Sequence, residues 1–344
     1  MTPKWREASV IGGISRRNSA DRSGEAQAAS VPPVAAREAD NAGMSAKVPP
    51  VETAVETAGR TARVWRELDH ARRSGAHREI VIPPCPELLQ QLRVALAGAE
   101  PDLAAVARIA GKDVAMAATL VRNANSARFA AGQPVATLGQ AMNRLGLDTT
   151  AALMTGFLAR HALPVRHPAL QDFWDRATLR SAALALAARR LPGLSADLAY
   201  SFGLFCDVGM PVLAQCLRGY GSTLVEAAAR IDRPLVATEN ANHRTDHCVV
   251  GAMVARAWGF APQVVCAIRL HHDFASLGGS DVEPEVHTLG AAGLVAEHLM
   301  RQQLGLPPDA DWKVHGRGCL EWLHLHDEDL EDLHGELGAE AVAA

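Results

Sequence analysis

Apolar residues recur at helical spacing through most of this chain. Val64, Trp65, Leu68 and Ala71 fall on one face of a helix that ends near Ser74-Gly75. Ile80-Val81-Ile82-Pro83-Pro84-Cys85-Pro86 reads as an extended, proline-stiffened lead-in. Pro86 suits the first turn of a helix through Leu88, Leu89, Leu92 and Leu96. Asp102 and Asp113 are placed to cap the next two helices, which carry Val106 and Ile109, then Leu120 and Val121. The pattern predicts further helices over about 137–146, 148–161, 169–191, 196–206, 209–218, 222–230, 246–258, 261–272, 286–304 and 317–336. No fixed period relates them, so this is not a solenoid.

Residues 1–55 show no such pattern. They mix Ala, Ser, Gly, Pro and both charge signs, too little apolar surface to offset ordering, and are expected to be a disordered tail. Residues 56–77 then form an amphipathic helix and linker that either docks on the body or tethers it. Residues 78–280 form the principal domain, and the C-terminal helices in 281–344 pack on it. The expected fold class is all-α.

Composition agrees with packed helices: 48% of residues are apolar, only 4% aromatic. The formal net charge of −4 gives no basic excess for tracking phosphates, so no nucleic-acid partner is expected. Arg189-Arg190 reads as a solvated helix end. Six cysteines lie far apart without knuckle or dithiol spacing, the pattern of free thiols in a reducing cytoplasm. The first residues lack the apolar run of a signal peptide, and no apolar stretch looks long enough to span a bilayer, so a cytoplasmic protein without a membrane partner is expected.

Several blocks in order resemble the HDOD family, the HD-related output domains of bacteria. They are Ile82-Pro83-Pro84-Cys85-Pro86-Glu87-Leu88; Asp113 with Leu120 and Asn123-Ala124-Asn125-Ser126-Ala127-Arg128-Phe129; and Val135, Leu138, Gln140-Ala141 and Leu145-Gly146. Phe173-Trp174, Gly203-Leu204-Phe205-Cys206-Asp207-Val208-Gly209, then His247, Gly251, Trp258, Pro262 and His271-His272 follow. The resemblance covers roughly residues 80–275. It implies a fold related to the HD phosphohydrolases and a signalling role, usually without hydrolysis.

Active HD enzymes hold a metal pair with a histidine from an earlier helix, an adjacent His-Asp, and further histidines. Aligned on that pattern, Arg176 takes the first histidine position, and a guanidinium has no lone pair for a cation. Cys206 takes the second, and magnesium, manganese or ferrous pairs prefer oxygen and imidazole to sulfur. Asp207, His247, His271 and His272 are left, and the six residues together form a remnant pocket.

Each has a structural reading too. Asp207 can cap the helix starting at Val208 or Gly209. His247 shares a core-facing stripe with Val250, Gly251, Val254 and Trp258, and could pair with Asp207. Of His271 and His272, one is expected to point inward and the other outward or to a helix end. Asp113, Asn125, Ser126, Trp174, Gly209, Gly251 and Trp258 are read as structural, through caps, turns and core anchors. His324-Leu325-His326-Asp327-Glu328 reads as a solvated acidic face. There is no P-loop, dinucleotide fingerprint or nucleophile elbow, and Asp207 beside Cys206 would raise that thiol rather than activate it.

The sequence therefore predicts a non-catalytic regulatory module with no metal and no cofactor. It would act through a signalling protein partner, with a small-molecule ligand and a homodimer left open. The alternative is a metal-dependent phosphohydrolase of a nucleotide or cyclic dinucleotide, with Cys206 as an unusual ligand.

Overall fold

A computed structural model describes residues 51–73, 79–97, 100–126, 129, 132–230 and 233–342 of the chain, and no strand occurs among them. The tail expected over residues 1–50 lies outside the described residues. Val51–Arg73 is helix α1, so residues 51–55 are helical rather than part of a tail. Val64, Leu68 and Ala71 of α1 are buried, as their spacing predicts. The helix docks on the body: Glu67 takes both ends of the Arg269 guanidinium at 3.0 and 2.6 Å, and Trp65 lies under Arg256.

Four helices form the first layer: α2 (Glu87–Leu96), α3 (Leu103–Ala110), α4 (Val114–Ala124) and α5 (Leu138–Ala162). The lead-in strap is fixed by the indole of Trp258, which donates to the Pro83 carbonyl at 2.9 Å. Pro86 is the residue before α2 rather than its first turn. Asp102 and Asp113 cap α3 and α4 as expected, Asp113 accepting from two backbone amides at 2.8 and 3.0 Å. Between α4 and α5 the Asn125 amide pairs with both backbone groups of Val135 at 2.8 Å, mimicking one rung of a sheet. Ser126 donates to Asn123, closing the end of α4. A capping box of Thr137 and Gln140 starts α5. Gly146 breaks α5 with φ 76, a left-handed value that a side chain would disfavour, and this is where the apolar pattern separates two helices.

The second layer carries the largest share of the buried core. It runs α6 (Phe173–Ala188), α7 (Ala196–Phe205), α8 (Gly209–Cys216), α9 (Tyr220–Ala229), α10 (Leu235–His243), α11 (His247–Ala257) and α12 (Pro262–Leu270). Three helices close it: α13 (Pro284–Gln303), α14 (Ala310–Leu323) and α15 (Asp327–Val342). Two expectations fail here. The stretch 317–336 is two helices, because His324 turns the chain with φ 54. Helix α10 has no counterpart in the apolar pattern at all. Trp174 is a buried anchor whose indole donates to the Leu163 carbonyl at 3.0 Å.

The central helix α11 is buried nearly all round. Residues Ala196–Cys216 reach the length and apolarity of a membrane span, contrary to the sequence reading. Yet 61% of that window is buried inside the protein, where α7 and α8 form the floor of the core. Close helix contact positions that floor. A Cβ on Gly203 would lie 2.8 Å from Ser181 Cα, so α6 and α7 approach backbone to backbone. A Cβ on Gly209 would overlap the His247 carbonyl oxygen, and Gly251 faces it from α11, with Ile268 behind. α13 lies across α6, α7 and α12, and α14 and α15 pack on α13.

Candidate functional site

The predicted pocket residues meet where the α7–α8 junction, the start of α11 and the end of α12 converge. Asp207 sits in the junction, held by the tight Gly209 contact below it. Its carboxylate does not cap α8, which has no side-chain cap. Instead Oδ2 takes an ion pair from Arg180 Nη1 at 2.5 Å, while Oδ1 lies 3.3 Å from His271 Nε2 and 3.5 Å from His247 Nε2.

Arg180, rather than Arg176, is thus the guanidinium paired with Asp207. It lies on the same face of α6, one turn further on. Its Nε donates to the Gly203 carbonyl at 3.0 Å, possible because α6 and α7 are so close, and its Nη1 also reaches Glu297 of α13 at 3.0 Å. Arg176 lines the wall of the cavity above, half-buried, and among the described residues no ion pair to it is found. Burial opposes charge on both Arg180 and Asp207, but each outweighs that for the other. The Asp207 carboxyl is held well below its usual range and the guanidinium well above.

His247 is fully buried on α11. Its Nδ1 lies 2.7 Å from Glu239 Oε2, on α10, whose carboxylate also accepts from the Tyr220 hydroxyl and the His247 amide. A carboxylate with three donors around it is an acceptor, so Nδ1 of His247 carries the hydrogen. His271 places Nδ1 2.7 Å from the Ile268 carbonyl, which can only accept. Both Nε2 atoms are left facing one another at 3.3 Å. His272 does not turn away as expected: its Nδ1 lies 2.5 Å from Asp311 of α14, and its ring centroid is 5.2 Å from that of His247.

Cys206 is buried with its thiol toward the Gly203 carbonyl. Burial pushes that thiol well up, and Asp207 adds to the rise, so it is no nucleophile. Cys248 differs. Burial would raise it, but His247 and His271 outweigh burial and bring it to about 6. The same cluster raises both histidines against burial, His271 to about 10, chiefly through the Cys248 thiolate.

Above these groups is a cavity of about 420 Å³, walled by Arg176, Arg180, Asp207, His271, His272, Glu297 and Asp311 among others. Arg180, Tyr220, Glu239, Cys248, Glu297 and Asp311 are site residues that the sequence reading did not name. A charged residue on the buried face of α6 was the available signal for Arg180.

A metal pair bridged by Asp207 does not fit this arrangement. The carboxylate oxygen that would have to reach the second cation already holds a guanidinium, and although the Cys206 thiol lies within 4.8 Å of the Asp207 and His271 ligand atoms, sulfur is a poor ligand for the magnesium, manganese or ferrous ions of such a pair.

The site and the helical layers define a class: an HD-like helical domain with a buried arginine on the carboxylate of its central junction. The HDOD domain model matches residues 82–274, more than half of the sequence, and the chain belongs to the HDOD family. An uncharacterized protein of Treponema pallidum is 24% identical over 220 residues, 63% of this chain and 42% of that protein. A crystal structure of a Marinobacter aquaeolei VT8 protein named for signal transduction aligns with TM-score 0.63 and 21% identity, over 85% of this chain and 66% of that one. A Shewanella amazonensis SB2B protein named as a phosphohydrolase aligns with TM-score 0.60 and 20% identity, over 81% and 94%. The chain thus spans under half the length of that curated relative and about two thirds of the Marinobacter chain. Identities this low establish the shared fold. Helices α14 and α15 lie beyond the matched segment, yet α14 supplies Asp311 to the site.

Proposed function

We propose that the chain is a non-catalytic regulatory module, binding a signalling protein on an HD-like fold that has exchanged its metal pair for an ion-paired arginine. One observation carries this reading: Arg180, buried between Asp207 and Glu297, supplies the positive charge that a second cation would bring. Phosphoester hydrolysis in this fold class needs that cation to activate water and neutralise the leaving oxygen. A guanidinium can do the second but not the first. Neither nucleic acid nor membrane is part of the proposal. The cavity beside Arg180 is open to a small ligand that would bias partner binding.

The test is turnover by the full chain. With manganese, magnesium or ferrous iron supplied, hydrolysis of a generic phosphodiester, nucleotides and cyclic dinucleotides is expected to stay at the metal-only blank. Cys206→His should not change this, since Arg180 still faces Asp207. Metal-dependent turnover that disappears in Asp207→Asn would establish the phosphohydrolase instead.

A further inference from the structure

A second group of potential ligands lies on the other side of the two facing imidazoles. His247, Cys248, His271 and His272 each bring one ligating atom within 4.8 Å of the others. Among the closest of these, Nε2 to Nε2 is 3.3 Å and Sγ to the His247 Nε2 is 3.7 Å. Tetrahedral zinc binds nitrogen at about 2.0–2.1 Å and sulfur at about 2.3 Å, so its ligand-to-ligand edges are about 3.3–3.6 Å. These two edges are close to those values, and the other ligand atoms lie within 4.8 Å, so small side-chain adjustments would close the tetrahedron.

Second-layer chemistry matches as well. Each imidazole has Nδ1 against an oxygen: Glu239 for His247, the Ile268 carbonyl for His271, Asp311 for His272. Such partners fix the tautomer that presents Nε2 to a metal and orient the ring. Two Nε2 atoms at 3.3 Å with Sγ beside them need a cation or a proton between them. A second group, Cys206, Asp207 and His271, also converges on the Asp207 side, but Arg180 already supplies positive charge there and only three ligands are offered. The Cys248 side offers four, one of them sulfur, which selects a softer ion than magnesium or manganese.

We infer that His247, Cys248, His271 and His272 form a mononuclear tetrahedral site for a borderline-soft divalent ion, zinc foremost. Four protein ligands leave no open position for water, so the ion is structural, tying α11 to the end of α12 and, through Asp311, to α14. That the ion has no catalytic part rests on the reading proposed above; its presence does not.

The experiment uses full-length protein stripped with a chelator and titrated with cobalt(II), then with zinc in competition. Expected are one equivalent of cobalt per chain, visible bands of tetrahedral intensity, and a near-ultraviolet thiolate-to-cobalt charge-transfer band. Cys248→Ser should lose the charge-transfer band and Asp207→Asn should keep it. Glu239→Gln, which changes the partner of His247 Nδ1 without removing a ligand, should weaken zinc binding about 10–100-fold. Circular dichroism of each stripped variant checks that it is folded.

No cobalt bound by a folded wild-type chain overturns the inference, as does a charge-transfer band that survives Cys248→Ser. Octahedral-type spectra, or binding lost in Asp207→Asn but kept in Cys248→Ser, also overturn it. Two equivalents with phosphoester turnover would instead overturn the non-catalytic reading, so the two failures are told apart.

Discussion

Replacing Arg180 by methionine should destabilise the fold far more than the same change at Arg176. The Arg180 side chain is 7% exposed, and those of Asp207 and Glu297 are 18% exposed each. Methionine fills similar volume but leaves two carboxylates facing a cavity wall with one cation fewer. Breaking a buried ion pair from one side costs about 3–5 kcal/mol, mostly because the partner charge is stranded. Scaled at the lower end for a large domain, that is a fall of about 6–10 °C in Tm. Arg176, half-buried and without an ion pair among the described residues, should cost about 0.5 kcal/mol or less as methionine.

The pH dependence gives a sharper check. Asp207 has its folded pKa depressed, so its contribution is present above the unfolded value of about 3.9 and is lost as pH falls through the folded one. In Arg180→Met burial is opposed only by the imidazoles, and the carboxyl moves up. The penalty should therefore be largest near neutrality and narrow as the variant's carboxyls take up protons on acidification. Urea unfolding of wild type, Arg180→Met and Arg176→Met across pH 7 to 4.5 measures it. Adding Asp207→Asn and Glu297→Gln to Arg180→Met should restore most of the loss. A penalty under about 1 kcal/mol, or one independent of pH, would refute the buried-clamp argument.

Other substitutions probe the parts that hold the site. Gly209→Ala puts a methyl into the His247 carbonyl and 2.8 Å from the Gly251 amide, and should cost about 3 kcal/mol or more, seen as a collapse of the urea midpoint. Asn125→Ala frees both backbone groups of Val135, for a loss of about 1–3 kcal/mol and faster hydrogen exchange at the Val135 amide. His298 is stacked on Trp312 at 3.9 Å with Nδ1 unbonded, and burial, then His334, lowers its pKa. Its contribution is full above the unfolded value of about 6.5 and declines below it, so His298→Phe should remove part of the stability lost between pH 7 and 5.

Much of the fold was legible because apolar spacing and caps report on burial and backbone demand directly. Asp102, Asp113 and the break at Gly146 each perform the backbone role their residue type suggests. His247 pairs with Asp207 as its helix face implied. Arg176 does line the cavity, but the arginine paired with Asp207 is Arg180, which the motif comparison did not single out, for a simple reason. Arg176 and Arg180 are four residues apart on one face, and an alignment of motifs cannot resolve one helical turn where only burial separates them.

Helix α10 was illegible for a reason that bears on the site itself. Leu-Val-Ala-Thr-Glu-Asn-Ala-Asn-His has no apolar stripe, so a reading founded on hydrophobic periodicity passes over it. Its buried residues are Thr238 and Glu239, both polar, and Glu239 is fully enclosed. A charged residue goes into a core only where partners compensate it, and here Tyr220 and His247 do so. The same holds for Arg180 on α6, whose partners Asp207 and Glu297 are 27 and 117 residues away in sequence. Residues buried for chemistry are those whose burial the local pattern denies, because what stabilises them lies across the fold. The arginine clamp and the histidine–thiol cluster are therefore visible only when the helices are assembled.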